Sequence, residues 1–320
     1  MSVPQETGER VLLFTTCYNE RNNIGPLLDE MVRAVPSADI LVIDDNSPDG
    51  TWDVIERKKL QYPQLGAIRR PRKLGVGSAH KYALFYAMRG KYDVIVTMDA
   101  DFSHDPASIP ALLENIGPGI FVTGSRYCPG GRSSYRGYRN SVSRLGNRVA
   151  QRLLGLKIRE LTTYFRAFDV ESLKSVPFRH IDSDGYSYGM QLVYYLTMAG
   201  IELREVPINF ARRATGKSKI PKAQLVRSAL NLIQLVFYKH TKSDDFYTPD
   251  LGCDASCINC GQQALVMYGN RHSRRSGINT VQHLSVKPAG EVPLFKCLHC
   301  HCLQSEPAKS DRLTNRSPPR

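Results

Sequence analysis

Over the first 125 residues, short runs that are apolar throughout take turns with segments whose apolar residues recur at helical spacing, and this alternation restricts the fold more than any other feature of the chain. RVLLFTTCYNE (10–20), ADILVIDDNSPDGT (38–51), LGAIRR (65–70), YDVIVTMDAD (92–101) and GIFVTGSRY (119–127) read as strands. Between them NIGPLLDEMVRAV (23–35), TWDVIERKKLQ (51–61), GSAHKYALFYAMRG (77–90) and PASIPALLENI (106–116) read as helices. A strand with no polar face must be covered on both sides, which is the situation in a parallel sheet sandwiched between helices. The predicted fold class is therefore α/β, a mostly parallel sheet with helices on both faces. In such sheets ligands bind beyond the carboxyl ends of the strands. The polar residues gather there: Tyr18, Asn19 and Glu20, then Asp44 and Asp45, then Asp99 and Asp101, then Arg126.

With 320 residues, 42% of them hydrophobic and 23% charged, the chain suffices for one large domain with a small appendage and is neither fibrous nor wholly disordered. Its 43 Lys and Arg against 30 Asp and Glu give a net charge of +13, which points to polyanionic partners: nucleic acid, anionic lipid headgroups or phosphorylated substrates. Residues 241–320 hold ten basic and seven acidic residues, a balance of +3, so +10 belongs to the first 240. Anionic substrates of the sheet domain account for that excess, and no nucleic-acid partner is expected. MSVPQETGER lacks the apolar centre of a secretory signal. The longest apolar stretch, LNLIQLVFY (230–238), is interrupted by Asn231 and Gln234 and is far shorter than the ~20 residues of a membrane span. A cytoplasmic location is expected, at most peripheral on the cytosolic face of a membrane.

From 132 to 240, SVSRLGNRVAQRLLG and GMQLVYYLTMAG read as helices, IELREVPINFARR as a strand and 221–240 as a final helix. Val226, Leu230, Ile233 and Phe237 share one face of that last helix, with Lys217, Lys219, Lys222 and Arg227 near its start. Packing against the sheet is the expected use of this face, and seating at a membrane surface the alternative. Beyond it the cysteines crowd: only Cys17 and Cys128 precede residue 240, whereas Cys253, Cys257, Cys260, Cys297, Cys300 and Cys302 follow it. In a cytoplasmic chain this favours metal ligation over disulfides. Cys257/Cys260 and Cys297/Cys300 form two C-x2-C pairs separated by 36 residues, the pattern of a tetrahedral structural Zn²⁺ in a zinc-ribbon-like module. Cys253, Cys302, His299 and His301 are further donors, and the spacing leaves open which four ligate. A closed thiolate site serves folding or partner binding and not catalysis.

MDADFSHDP (98–106) ends an apolar strand in two carboxylates one residue apart, an arrangement that is either a solvated turn or a cation site. Mg²⁺ or Mn²⁺ takes one or two such carboxylates together with the oxygens of a substrate diphosphate, and the metal offsets charge growing on a departing diphosphate. VIDDNSPDGT (42–51) supplies a second acidic strand end, where a carboxylate can accept from a base N–H or a ribose hydroxyl or, at Asp49, simply cap a helix.

TCYNE, VIDDNSPDGT, RKLGVGSA, MDADFSHDP and GSRY follow one another in the order and spacing of the inverting family-2 glycosyltransferases, and the chain resembles in particular the dolichol-phosphate (polyprenol-phosphate) mannosyltransferases. The likeness continues through SVSRLGN, GYSYGMQLVYY and VPINFARRATGKSKI, covering roughly residues 10–240. It implies a GT-A, nucleotide-diphospho-sugar transferase fold and the transfer of mannose from GDP-mannose to a polyprenyl phosphate. By matching positions, Tyr18, Glu20 and Asp45 would contact base and ribose. Lys73, Asp99, Ala100 and Asp101 would meet the diphosphate, the two acids through Mg²⁺ or Mn²⁺. Arg126, Arg213 and Lys219 would bind the acceptor phosphate, with Ser141 and Arg144 lining that side. Asp99, Asp101, Arg126 and Arg213 are the candidate catalytic residues. A prenyl phosphate is already anionic near neutral pH, so positioning and cationic stabilisation replace a strong general base.

The domain organisation that follows is a catalytic domain over 1–240, a linker over 241–252, a zinc-ribbon-like module over 253–305 and a disordered tail over 306–320. ELTTYFRAF (160–168) departs from the family pattern: Glu160 lengthens an acid, and Thr163 and Tyr164 put bulk where small residues are expected beside the sugar. Mannose is the expected sugar and glucose the alternative. A transferase using a UDP-sugar on a saccharide would need a general base, for which Asp182 or Asp184 is available; a zinc-ribbon nucleic-acid binder is the alternative of another class.

Overall fold

In the computed structural model, which describes residues 8–134, 138–181, 186–211, 229–233, 235–236, 265–270, 293–297 and 303–304, the all-apolar segments become the inner strands of one sheet. The chain divides into two compact units, Met1–Thr248 and Pro249–Arg320. In the first unit β1 (Val11–Cys17), β2 (Asp39–Asp44), β3 (Leu65–Arg69), β4 (Val94–Asp99), β5 (Ile120–Ser125), β7 (Arg166–Asp169) and β8 (Glu202–Pro207) form a seven-stranded sheet in the order β3-β2-β1-β4-β7-β5-β8. β1 pairs in parallel with β2 and β4, β2 with β3, and β5 with β8. Leu12, Leu13 and Phe14 on consecutive positions of β1 are all buried, which requires cover on both faces. Helices α1 (Arg21–Ala34), α2 (Thr51–Gln61) and α3 (Val76–Arg89) connect the first four strands. α1 buries Ile24, Leu27, Leu28 and Met31, one stripe at helical spacing, into the core that β1, β2 and β4 line. Complete burial of each such side chain is worth ~1.5–3 kcal/mol.

The expected helix over 106–116 is shorter: a 3-10 turn at Pro106–Ser108 leads into α4 (Ile109–Leu113). Next come the two-residue strand β6 (Arg132–Ser133), α5 (Tyr138–Leu154) and α6 (Tyr186–Met198). β9 (Asn209–Phe210) pairs in parallel with β6, and Phe210 packs partly buried against the core. The element that periodicity did not reveal is β7, which lies antiparallel between β4 and β5. Four residues with a charged first member, RAFD, are too few to show a repeat. Within β5, a Cβ on Gly124 would stand 2.9 Å from both Ile208 and Phe165, so the glycine of GSRY permits close packing next to Arg126.

Of the final helix, residues 229–233 and 235–236 are described. Leu230 and Ile233 are exposed there and Leu235 is buried, so the part seen turns a different face inward from the one the 226/230/233/237 spacing selects. In the second unit β10 (Leu265–Asn270), β11 (Pro293–Cys297) and β12 (Leu303–Gln304) form an antiparallel sheet in which Leu265 is opposite Cys297. Cys257, Cys260, Cys300, Cys253, Cys302, His299 and His301 lie outside the described residues.

Candidate active site

Four strands end on one rim, and the loops leaving it are tied to one another by polar side chains. After β1, the Asn19 amide donates to the Ser47 hydroxyl at 2.9 Å and the Glu20 amide to the Thr51 hydroxyl at 2.9 Å. Asp44, at the end of β2, accepts from the Ser47 amide at 3.0 Å and from the Ser47 hydroxyl. Asp49 accepts the Arg21 amide at 3.2 Å and the Thr51 amide at 3.0 Å, one residue ahead of Gly50, the N-cap of the helix that begins at Thr51. Asn19, Asn46 and Phe102, each a few residues past a strand end, hold φ between 58 and 59°. This left-handed conformation is rare for a residue as bulky as phenylalanine and concentrates at functional rims.

Asp45 is 3% exposed and its carboxylate is fully engaged within the chain. It pairs with the buried Arg70 and accepts the Leu74 amide at 3.2 Å and the Gly75 amide at 3.1 Å. Arg70 in turn donates to the Ser78 hydroxyl at 2.7 Å and the Gly75 carbonyl at 2.9 Å. The pair thus fastens the Lys73 loop to the end of β2, and Lys73 Nζ lies 4.2 Å from the centre of the Tyr18 ring, a cation–π contact. Sequence reading did not single out Arg70; an acid at the end of a buried strand demands a buried counter-charge, and IRRPRKLG offered one.

At the end of β4, Asp99 is partly exposed, Ala100 is buried, and Asp101 is 4% exposed with its carboxylate accepting the Ser103 amide at 2.9 Å. His104 underlies both acids. Its Nδ1 accepts the Asp99 amide at 3.3 Å, which assigns the proton to Nε2 for donation to the Thr163 hydroxyl at 2.9 Å. Burial drives its pKa down to about 4, against the pull of Asp101, so the ring is neutral near pH 7. Asp101 and Glu160 favour the protonated ring and Arg126 opposes it, each less strongly than burial. Phe210 connects the same groups, 5.2 Å from the His104 ring and 4.6 Å from the Arg126 guanidinium.

Arg126 leaves the end of β5 into a fork with Glu160, Nε donating at 2.7 Å and Nη2 at 2.8 Å, and Nη2 also donates to the Thr162 hydroxyl at 3.0 Å. Burial alone would raise the Glu160 pKa, but the charge and hydrogen bonds of Arg126 hold it below the ordinary glutamate value. The Tyr127 ring lies 4.9 Å from the Arg126 guanidinium and 5.6 Å from that of Arg144, so both candidate acceptor-side arginines meet one aromatic ring. Ser141 is exposed on α5; its neighbour Ser143, not singled out from sequence, accepts the Tyr127 hydroxyl at 2.9 Å. Arg213, Lys219, Asp182 and Asp184 lie outside the described residues.

The bulk at 163–164 does not fill the rim. Tyr164 is 5% exposed and turns into the core, its ring 4.4 Å from His80 and 6.5 Å from Tyr188, while Thr163 is taken up by His104. Tyr164→Ser is therefore expected to lower stability by about 3–5 kcal/mol, the loss typical of a large buried ring, and to leave the KM for a nucleotide sugar unchanged. Urea unfolding and donor saturation on the same variant check both halves.

Residues 13–176, which run from β1 past β7 and include each strand-end acid described above, match the model of glycosyl transferase family 2. The chain belongs to that family. Among its family-2 relatives is the undecaprenyl-phosphate mannosyltransferase of Micrococcus luteus, 34% identical over 212 residues, 66% of this chain and 87% of the relative. Another is the polyprenol monophosphomannose synthase of Mycolicibacterium smegmatis, 35% identical over 215 residues, 66% of this chain and 81% of the relative. The crystal structure of glucosyl-3-phosphoglycerate synthase from Mycobacterium tuberculosis with Mn²⁺, UDP and phosphoglyceric acid superposes with a TM-score of 0.51 at 22% identity, covering 74% of this chain and 81% of that one. Its likeness shows the GT-A fold. As a family-2 member the chain is a glycosyltransferase, and the mostly parallel sheet expected from the alternation of strands and helices is the one observed.

Proposed function

We propose that this glycosyltransferase moves a mannosyl group from GDP-mannose to a polyprenyl phosphate with inversion at the anomeric carbon. The observation that carries the reading is that the β4 end bearing Asp99 and Asp101 and the β5 end bearing Arg126 are joined through His104 and Phe210, so that a diphosphate held by the two acids would adjoin a phosphate held by Arg126. The names of the two mannosyltransferase relatives support both the sugar and the lipid.

In the proposed reaction an oxygen of the prenyl phosphate forms the new bond to the anomeric carbon as the bond to the diphosphate breaks, and the nucleoside diphosphate leaves with the electron pair. Asp99 and Asp101 would hold Mg²⁺ or Mn²⁺, which supplies Lewis-acid stabilisation to the leaving diphosphate. The donor set fits: two hard carboxylates one residue apart, the Asp99 side chain partly open to solvent, suit an ion that completes its shell with substrate and water. Tyr18 presents a flat face to the base, with Lys73 poised over it for the diphosphate. Glu160 fixes the angle of Arg126, which with Arg144 orients the acceptor phosphate for in-line attack.

The proposal includes a place of action at the cytosolic membrane surface, to which the lipid acceptor is confined; no described helix is long and apolar enough to cross a membrane. It also gives the C-terminal unit a structural Zn²⁺ on Cys257, Cys260, Cys297 and Cys300. The pairing of Leu265 with Cys297 supports this, since the segment following Cys260 enters β10 opposite the end of β11 that carries the second pair. Incubation with GDP-mannose, UDP-glucose or UDP-N-acetylglucosamine, each with polyprenyl phosphate and Mn²⁺, is expected to yield product from GDP-mannose alone, in β configuration. Product from UDP-glucose would replace the sugar, and a retained α configuration would overturn direct displacement. The same preparation should contain equimolar zinc by elemental analysis; metal-free protein of full stability would remove the zinc assignment.

A further inference from the structure

The proposed acceptor is a membrane lipid, and the inference that follows rests on that reading. α5 divides its circumference into three bands. The inner band packs on the site: Asn147 accepts the Leu161 amide at 2.7 Å and donates to the Thr162 hydroxyl at 3.4 Å, next to the Glu160–Arg126 fork, and Ala150 and Leu154 are buried behind it. The outer band is apolar and open to solvent. Leu145, Val149 and Leu153, four residues apart and so aligned along the helix, are 62%, 41% and 48% exposed. Between the two bands Arg144, Arg148 and Arg152 make a second exposed line with the same spacing. The helix, YRNSVSRLGNRVAQRLL, holds four arginines and no acid.

Three of the eight large apolar side chains exposed among the described residues stand in this one row, which is a patch and not scatter. We propose that the outer face of α5 docks on an anionic bilayer, Leu145, Val149 and Leu153 entering the acyl boundary and Arg148 and Arg152 meeting lipid phosphates. A cationic polar band beside an aliphatic one is the composition of helices that lie in the interface plane. Charge separates this occupant from the others. A second copy of the chain would bring like-charged arginine rows together, and a nucleic acid would leave the aliphatic row in water. Continuity with the site gives the docking its use: the helix that faces the lipid on one side holds the Arg126 fork on the other, about one helix diameter, ~10 Å, away. The acceptor phosphate then reaches Arg126 without its chain leaving the membrane.

Flotation of the full chain with phosphatidylcholine vesicles, with and without phosphatidylglycerol, tests this. Wild type is expected to float with the anionic vesicles and to be released by salt. Leu145→Gln/Val149→Gln/Leu153→Gln should cut the bound fraction about tenfold or more, and Arg148→Gln/Arg152→Gln should erase the preference for phosphatidylglycerol. The triple variant should still glycosylate a short, water-soluble prenyl phosphate while losing turnover of a long-chain acceptor held in vesicles. Wild type that stays unbound, or a triple variant that floats as wild type does, overturns the docking. A smaller sedimentation coefficient in the triple variant, with no flotation of wild type, would assign the face to a second copy instead. Flotation as expected with neither acceptor turned over would leave the docking intact and sink the acceptor assignment.

Discussion

Asp101→Asn is expected to lower kcat/KM by about a thousandfold, equal to ~4 kcal/mol of transition-state stabilisation. The substitution keeps size and an oxygen able to accept the Ser103 amide, now 2.9 Å from the carboxylate, so the loop after β4 retains its shape. What disappears is one negative charge at a site 4% exposed, where neighbouring charges are weakly screened by solvent. Asp99→Asn removes the more exposed partner and should act in the same direction. Initial rates across a Mn²⁺ titration, with ion binding followed by electron paramagnetic resonance, separate weakened metal affinity from a lost chemical step. Wild-type turnover by the doubly substituted chain would dismiss the two acids from the mechanism.

Glu160→Ala is expected to lower stability by about 3–5 kcal/mol, because it strands the Arg126 guanidinium beside a deleted buried partner. That is a large part of the 5–15 kcal/mol that holds a typical domain folded. Glu160→Gln retains an acceptor and should cost less. The pH dependence has a definite sign. The folded-state pKa of Glu160 is lowered, so its contribution is complete above the unfolded glutamate value, ~4.3, and drains away as pH falls through the lower folded value. Urea unfolding of wild type and Glu160→Gln at neutral pH and at about pH 3 should therefore show a difference that narrows in acid. A gap that widens in acid would mean that Glu160 is protonated in the folded chain.

The sheet was readable from sequence because each inner strand, such as VLLFTTC, is apolar on both faces, and that pattern has few alternatives. The rim was readable for a related reason: Asp44 and Asp45 directly follow the apolar run ILVI, and Asp99 and Asp101 the run VIVTM. Partners across the sequence were not. Asp45 meets Arg70 from 25 positions away and Arg126 meets Glu160 from 34, separations at which neither helical nor strand spacing carries information. Tyr164 shows the limit most clearly. Its identity announced bulk near the sugar, but the backbone, whose Tyr164 carbonyl accepts the Thr97 hydroxyl just before β7, turns the ring toward His80 and the core, and direction is a property of the backbone that composition does not contain.

β7 has a consequence for how the chain is born. In the finished sheet β5 reaches β4 only through this antiparallel segment, which is synthesised after both of them. A nascent chain that has emerged as far as Ser125 can close the ladder from β3 to β4, while β5 waits without a neighbour for forty more residues. The order of synthesis therefore lets the ladder from β3 to β4 set first, with Arg166–Asp169 as the keystone that joins β5 and β8 to it.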